Sequence, residues 1–419
     1  MRKSIVRLLI AAATALPMAF GGLAAAETPD SPLGAPLVGN GRFCSVSSPI
    51  QGTGATFANN AHQNVFIPEY NADCGSGSGN VSYTSTGSGA GKFAAIEHTH
   101  WFGMSDEPLS TDETLCATLD LGFTAPANGT CRLSPGRNRV SPIHHIPLAL
   151  GSITVSYNVS FPGCTFGQKA LKFRSEVVGS IFSGVITRWN DPLLAVDNPG
   201  LANAACNKPI KIAVRQDGSG TTYAFKDFLS KRNPQFQVYK QNQLNTAWPA
   251  QDLGLNTPLR GNGNGGVADQ VKNNAGAIGY VELSTAKSKG LTFGLVDGPH
   301  RQFLAPDQGN GANCEASATG ATHPPSTLSP GWDAVSITDS PNPLGYPVCT
   351  FTYALVYNNL KSAFGSAFIA TKARTLADYL LVALDADTQN KLNAVGYGRM
   401  PASFIAVAQA GVATITDQA

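Results

Sequence analysis

The sequence predicts an α/β protein of two lobes, and three observations lead to this prediction. Short β-prone runs alternate with helical segments along most of the chain, a pattern typical of α/β folds. The chain has 419 residues, which is more than one ordinary hydrophobic core organises. Hydrophobic residues make up 42% and charged residues only 13%, with a net charge of +2, so both disorder and a basic nucleic-acid-binding surface are disfavoured.

The N-terminus has the layout of a secretory signal peptide. Basic residues at the start precede an apolar run, Leu8–Leu23, which is followed by alanines ending at Ala26. A membrane anchor is the alternative, but the run is short and contains Pro17. We therefore expect cleavage of residues 1–26, a Pro- and Gly-rich N-terminal arm over 27–44, and a mature protein in the periplasm or outside the cell.

The remaining elements follow in order along the chain. Strand-like segments are expected at 81–84, 146–157, 210–214, 277–281 and 351–357. Helical segments are expected at 65–70, 168–183, 221–230, 267–274 and 375–384. Pro68 should end the first of these helices. The segment 305–345 is rich in loops and is expected to be an insertion.

Eight cysteines follow the expected signal peptide, and an even count in a secreted protein predicts disulfides. Pairing by proximity would join Cys44 with Cys74, Cys116 with Cys131, Cys164 with Cys206, and Cys314 with Cys349. Proximity alone leaves other pairings open, although the short loop between Cys116 and Cys131 makes that bridge the strongest expectation. No Cys-x-x-Cys pair occurs, so a structural zinc site is not expected.

Four segments combine glycine with hydroxyl side chains just before a helix or turn. They are GTGATF (52–57), GSGAG (87–91), GMSD (103–106) and RQDGSGT (215–221). Glycine lets backbone N–H groups approach a ligand, and a helix N-terminus attracts anions. One such segment alone is more often an ordinary turn. The last one adds Arg215, a permanent charge with a planar donor fork, and Asp217, which could hold the guanidinium in place.

In this order, the segments resemble the periplasmic phosphate-binding proteins of high-affinity phosphate ABC transporters and the related DING proteins. The matching segments are GTGATF (52–57), YTSTGSGAGK (83–92), FGMSDEPL (102–109), SIFSGVITRWNDP (180–192), RQDGSGTT (215–222), GNGGVADQVKNNAGAIGYVE (263–282) and GYGRMP (396–401). The resemblance implies a two-lobed periplasmic-binding-protein fold of type II, in which two strand crossovers form a hinge and the ligand binds in the cleft. Lobe 1 would comprise 45–149 plus 354–419, and lobe 2 would comprise 150–353.

The resemblance also implies a shell of phosphate ligands. Thr56 and Ser88 would give hydroxyl and backbone donors, Phe57 a backbone N–H, and Asp106 an acceptor. Arg215 would be the charged donor, supported by Asp217. The start of a helix would complete the shell with Ser219, Gly220 and Thr221.

A carboxylate such as Asp106 has a purpose beside this anion. Phosphate near neutral pH keeps a proton, which an ionised carboxylate accepts in a charge-assisted hydrogen bond. Sulfate has no such proton, so the lone pairs of its oxygens would repel those of the carboxylate. The sequence therefore predicts selectivity for phosphate that depends on repulsion of its competitor.

The implied function is capture of inorganic phosphate for uptake through an ABC permease, by a monomer that is not an enzyme and needs no cofactor. Two alternatives stay open, a DING-type phosphatase or phosphotriesterase and a surface or adhesion protein that retains a phosphate site. A hydrolase would need an activated nucleophile or a metal. The only hint of a metal is the group His98, His100, His144 and His145, whose role the sequence leaves open.

Overall fold

The computed structural model describes residues 48–74, 81–124, 131–132, 139–233, 245–248 and 258–417. The chain divides into two compact units, Met1–Ser31 and Pro32–Ala419. The first unit, with the expected signal peptide, lies outside the described residues, and so does all of the expected N-terminal arm, 27–44. Everything described below belongs to the second unit.

The described strands are numbered along the chain. They are β1 Ile50–Gly54, β2 Val81–Ser85, β3 Phe102–Ser105, β4 Gly122–Phe123, β5 Cys131–Arg132, β6 Ile143–Tyr157, β7 Lys172–Phe173, β8 Lys211–Arg215, β9 Leu259–Gly261, β10 Ala277–Glu282, β11 Thr292–Phe293, β12 Leu295–Asp297, β13 Phe303–Leu304, β14 Cys349–Tyr357 and β15 Tyr397–Gly398.

The described α-helices surround these strands. They are α1 Asn59–Ala61, α2 Ile67–Cys74, α3 Ser88–Ile96, α4 Thr111–Thr118, α5 Ser175–Phe182, α6 Pro192–Ala195, α7 Gly220–Arg232, α8 Gly263–Asn273, α9 Leu283–Ser288, α10 Ala312–Ala318, α11 Leu360–Phe364, α12 Ala370–Ala383, α13 Ala386–Lys391 and α14 Ala402–Ala413. In this part of the chain, none of the helices has the length and apolar character required to cross a bilayer.

Ten of the strands form one mixed sheet with the order β2-β1-β3-β14-β6-β10-β8-β9, with β11 and β15 also paired to β6. At one end β1 runs parallel to β2 and β3, and at the other β8 runs parallel to β9 and β10. The central strands β14 and β6 are antiparallel to each other and to their outer neighbours β3 and β10. The sheet thus consists of two parallel halves joined through an antiparallel centre.

Strand β6 belongs to both halves. Its first part, Ile143–Ser152, pairs with β14, and its last part, Ile153–Tyr157, pairs with β10. All its residues are buried, as expected for a strand covered on both faces. This long crossing strand agrees with a two-lobed α/β fold, whereas the bounds set for the lobes, 45–149 plus 354–419 and 150–353, stay a prediction.

Two predicted helices differ from the structure. Helix α2 continues through Pro68 to Cys74. Pro68 is the second residue of this helix, where the missing N–H of proline is tolerated. A π-helical turn, His62–Phe66, precedes the helix. The predicted helix 168–183 is shorter: Lys172 and Phe173 form β7, which pairs with β12, and α5 begins only at Ser175. The expected strands all form, as parts of β2, β6, β8, β10 and β14.

Three of the expected disulfides are present. They join Cys116 with Cys131, Cys164 with Cys206, and Cys314 with Cys349. Cys44 lies outside the described residues, so its pairing with Cys74 stays a prediction. The third bridge closes the base of the insertion, which contains α10 and little other regular structure.

The insertion is tied to helix α7. The Asp227 carboxylate accepts hydrogen bonds from the hydroxyls of Ser336 at 2.6 Å and Thr338 at 2.5 Å. One turn further along α7, Arg232 forms an ion pair with Asp339 at 2.8 Å. These contacts hold the C-terminal half of the helix whose N-terminus enters the site described next.

Candidate functional site

All four glycine-rich segments lie where strands of the sheet end, with Ser88 following β2. Thr56 follows β1, Asp106 follows β3, and Arg215 is the last residue of β8. Ligands of open α/β sheets bind at the carboxyl ends of strands. Two helices begin at the same place, α3 with Ser88 and α7 with Gly220, so the topology brings all four segments together.

The start of α7 packs directly against the β3 end. A Cβ atom on Gly220 would lie 2.6 Å from Cβ of Asp106 and 2.7 Å from Oγ of Ser88, which is far inside normal contact distance. Beside this contact the N–H of Gly89 donates to the carbonyl of Gly218 at 3.0 Å. Only glycine at position 220 permits this approach, which makes its place in the predicted site a steric requirement.

Asp106 is the buried centre of this contact, with 2% of its surface exposed. Its Oδ2 lies 3.5 Å from the Ser88 hydroxyl and 3.4 Å from the Thr221 hydroxyl. Its Oδ1 is buried and has no well-formed hydrogen bond from the described residues, although the Thr352 hydroxyl lies near enough to interact with the carboxyl. Burial raises the pKa of Asp106 to about 7, against the opposing effects of the Thr352 hydroxyl, the Arg215 charge and Thr221. A buried acceptor with a spare oxygen is unusual and suits a ligand that brings a proton.

Arg215 supplies the positive charge, with 1% of its surface exposed. Its Nε donates to Oδ1 of Asp217 at 2.8 Å, and its Nη2 donates to Oδ2 of the same carboxylate. Asp217 also accepts from the N–H of Gly263 at 2.9 Å. The guanidinium is therefore held in one orientation by a two-point contact, and within the described part of the chain its Nη1 donates to no acceptor.

Helix α7 directs its N-terminus at Asp106. Ser219 is the N-cap residue, and its hydroxyl accepts from the N–H of Thr222 at 3.1 Å. The N–H of Ser219 itself donates to the carbonyl of Thr246 at 2.8 Å. The positive end of the helix dipole and the remaining free N–H groups of the first turn thus lie beside the buried carboxylate.

Thr56 and Phe57 reach the site in different ways. The hydroxyl of Thr56 accepts from the backbone N–H of Asn264 at 3.2 Å and from its side-chain Nδ2 at 2.9 Å. The ring of Phe57 belongs to the core, where it meets Tyr397 edge to face at 5.7 Å. Only the backbone of Phe57 is therefore able to contribute to a ligand site.

A cavity of about 560 Å³ opens beside these groups, with Thr56, Thr86, Asp217 and Asn264 in its wall. Asp106 is not part of that wall, because the start of α7 covers it. The site therefore has an enclosed inner part around the carboxylate and an outer part that is open to solvent.

Sequence reasoning missed two residues of this site. Asn264 is the second residue of α8 and is 1% exposed. The hydroxyl of Tyr280 contacts the Thr222 hydroxyl at 2.7 Å and accepts from the N–H of Arg215 at 3.2 Å, so it supports the segment 215–222. The run GNGNGG (261–266) is a glycine-rich helix start like the other segments and could have indicated Asn264; Tyr280 lies in the matching segment 263–282, but no feature of that segment assigned it a role.

His98, His144 and His145 form polar contacts within the core, whereas His100 is partly exposed and contacts the neighbouring Thr99 hydroxyl at 3.0 Å. His98 bonds to Asp120 at 2.9 Å and stacks on Tyr357. His144 contacts the Thr327 hydroxyl at 2.7 Å and Oδ1 of Asn358 at 2.9 Å, and His145 accepts from the N–H of Leu109 at 3.0 Å. Burial lowers the pKa of His144 to about 4 and that of His145 to about 3. Across the described ranges, no three His, Cys, Asp or Glu side chains cluster as metal ligands.

The chain shows clear likeness to known proteins. It is 28% identical over 255 residues to the phosphate-binding protein PstS of Methanocaldococcus jannaschii, covering 61% of this chain and 63% of that protein. It is 34% identical over 226 residues to the phosphate-binding protein PstS of Pasteurella multocida, covering 54% of this chain and 55% of that protein. The chain thus spans less than two thirds of the length of both relatives.

Structural comparison gives the same fold. A high-affinity periplasmic phosphate-binding protein, PfluDING, solved with bound phosphate, superposes with a TM-score of 0.61 at 19% identity, covering 86% of this chain and 93% of that one. A family model described as a PBP superfamily domain matches residues 25–382. The match takes in both halves of the sheet and all the segments that surround Asp106, and the chain therefore belongs to the PBP superfamily domain family.

Proposed function

We propose that the protein binds inorganic phosphate outside the cytoplasm and delivers it to an ABC permease for uptake. The observation that carries the proposal is Asp106, a buried carboxylate with a free acceptor oxygen at the start of α7. A site for a fully deprotonated anion would have no use for such a group.

The arrangement suits an anion that carries one proton. Helix α7, the Ser88 and Thr221 hydroxyls, and the Arg215 charge provide donors for the oxygens that bear negative charge. Oδ1 of Asp106 provides the acceptor for the P–OH proton. Since the pKa of Asp106 lies near 7, the carboxyl and the ligand can share a proton near neutral pH, which spares the pair much of its mutual repulsion.

The names of the relatives support the same ligand, because the PstS proteins and PfluDING are all described as phosphate-binding. The proposed ligand shell is Thr56, the Phe57 backbone, Ser88, Asp106, Arg215, Ser219, Gly220 and Thr221, with Asp217 in support. We propose a monomer that binds without catalysis, since the Ser219 hydroxyl serves as a helix cap and contacts no histidine among the described residues.

Titration calorimetry with phosphate, sulfate and a phosphate monoester tests the proposal. Above about pH 8, where Asp106 is ionised, we expect one phosphate per chain and sulfate binding weaker by about 100-fold, because an unpaired buried acceptor costs about 3 kcal/mol. The monoester should bind more weakly than phosphate, because Asp106 is buried and a bulky ester group would have to be accommodated next to it. Equal affinities for phosphate and sulfate would refute the role of Asp106.

A further inference from the structure

The carboxamide of Asn264 connects three segments of the site. Its Oδ1 accepts from the N–H of Glu282 at 3.0 Å. Its Nδ2 donates to the hydroxyl of Thr56 at 2.9 Å and to that of Thr221 at 3.3 Å. The side chain is 1% exposed, so water does not compete for these hydrogen bonds.

The orientation of this amide is fixed by chemistry. The two ends of an Asn side chain look alike in shape, and their assignment depends on the neighbours. The N–H of Glu282 is a backbone donor and has no acceptor function, so the amide oxygen must face it. The NH₂ group must then face Thr56 and Thr221, and it acts on both hydroxyls as a donor.

Because Nδ2 of Asn264 donates to both hydroxyls, it restricts the directions in which Thr56 and Thr221 can donate their own hydrogens. A hydroxyl has one hydrogen and two lone pairs. The Thr56 oxygen receives both the N–H and the Nδ2 of Asn264, so both lone pairs are occupied and its hydrogen has to be donated elsewhere. The Thr221 oxygen receives Nδ2, and its own hydrogen points to Oδ2 of Asp106 at 3.4 Å.

We propose that Asn264 is a positioning residue that makes Thr56 an obligatory hydrogen-bond donor toward the bound anion and holds the hydroxyl of Thr221 beside Asp106. The proposal rests on the proposed function and adds a second layer of selectivity to it. Asp106 is the acceptor for the proton of the ligand, and Asn264 prevents the Thr56 hydroxyl from turning a lone pair to the ligand, because both of its lone pairs are occupied. Asn264 acts through the two hydroxyls and does not contact the anion itself.

A double-mutant cycle separates this role from a structural one. Asn264→Ala should weaken phosphate binding by about 10-fold in calorimetry, the worth of roughly one buried hydrogen bond. In the Thr56→Val, Thr221→Val background the same change should cost less than about 2-fold, because there are no hydroxyls left to orient. Equal losses in both backgrounds would overturn the proposal, since a structural role acts with or without the hydroxyls.

A second variant covers the case in which Asn264→Ala folds poorly. Asn264→Asp keeps an acceptor for the N–H of Glu282 but turns a second acceptor toward Thr56 and Thr221, so the hydrogen of Thr56 should then leave the anion. We expect a larger loss of phosphate affinity than for Asn264→Ala, and unchanged affinity overturns the proposal. Asn273→Ala, which changes an exposed residue of the same type in the same helix α8, is the matched control and should bind like the wild type.

The same titrations distinguish a failure of the proposed function from a failure of the proposed role of Asn264. Wild-type protein that binds no phosphate contradicts the proposed function, and this inference with it. Wild-type protein that binds phosphate, together with additive losses in the cycle, contradicts the role of Asn264 alone.

Discussion

Replacement of Asp106 by asparagine should stabilise the ligand-free protein above neutral pH. Burial raises the pKa of this carboxyl from 3.8 to about 7. Each pKa unit corresponds to about 1.4 kcal/mol, so ionisation of the buried group costs the folded state up to about 4 kcal/mol relative to an exposed carboxyl. The amide of the asparagine cannot ionise, and the variant avoids this cost.

The sign of the pH dependence follows from the raised pKa. The carboxyl contributes its full stability below about pH 4, where it is protonated in both states, and that contribution is lost as the pH rises to about 7. The free energies of unfolding of wild type and Asp106→Asn should therefore be similar near pH 4, diverge between about pH 4 and 7, and differ by a constant amount above that range. Groups other than Asp106 titrate in both proteins and cancel in the difference.

Urea denaturation of both proteins without phosphate, at a series of pH values, measures this difference. The variant should also lose selectivity, because its amide can donate to an anion where the carboxylate repels it. The ratio of phosphate to sulfate affinity should fall, while phosphate affinity itself changes less. A stability difference that is independent of pH, together with an unchanged ratio, would mean that Asp106 is an ordinary structural residue.

Three further predictions concern the same site and the disulfide bonds. Arg215→Ala should weaken phosphate binding in calorimetry by about 2–4 kcal/mol, because a desolvated anion loses its charged partner; wild-type affinity would show that the charge lies elsewhere. Gly220→Ala should abolish tight binding, since its Cβ would lie 2.6 Å from Cβ of Asp106 and must displace α7; phosphate protection against thermal unfolding measures this, and full protection contradicts the close approach. Peptide mapping of unreduced protein should find Cys44 joined to Cys74 and no free thiol; an alkylated Cys44 would exclude that bridge.

The sequence predicted the type of most elements but not their partners. The apolar run at 351–357 indicates a strand, yet nothing in it shows that β14 lies between β3 and β6. The spacing of hydrophobic residues along the sequence indicates which residues are buried. A strand that is covered on both faces has the same run of hydrophobic residues whichever strand it pairs with. The helix predicted at 168–183 begins later than expected for a related reason, because pairing with β12 determines that Lys172 and Phe173 are extended.

The residues of the candidate site that stand out in the sequence are those with a single chemical role. Arginine only donates and an ionised carboxylate only accepts, so Arg215 and Asp106 stand out in a sequence. The amide of Asn264 can do both, and its role is set by the N–H of Glu282, which reaches it only in the folded chain. Gly220 was predicted through its motif, whereas the steric reason for it needed the distance to Asp106.

The central position of β14 has a consequence for how the protein is made. The strands β1, β2 and β3 are complete by residue 105, and β6 by residue 157, but the strand that joins β3 to β6 spans Cys349–Tyr357. Until that segment has been synthesised, β3 and the first part of β6 lack the neighbour that lies between them, and pairing across such a long loop is slow. The nascent chain is therefore kept from closing its sheet early, a property that favours passage through a membrane in an unfolded form.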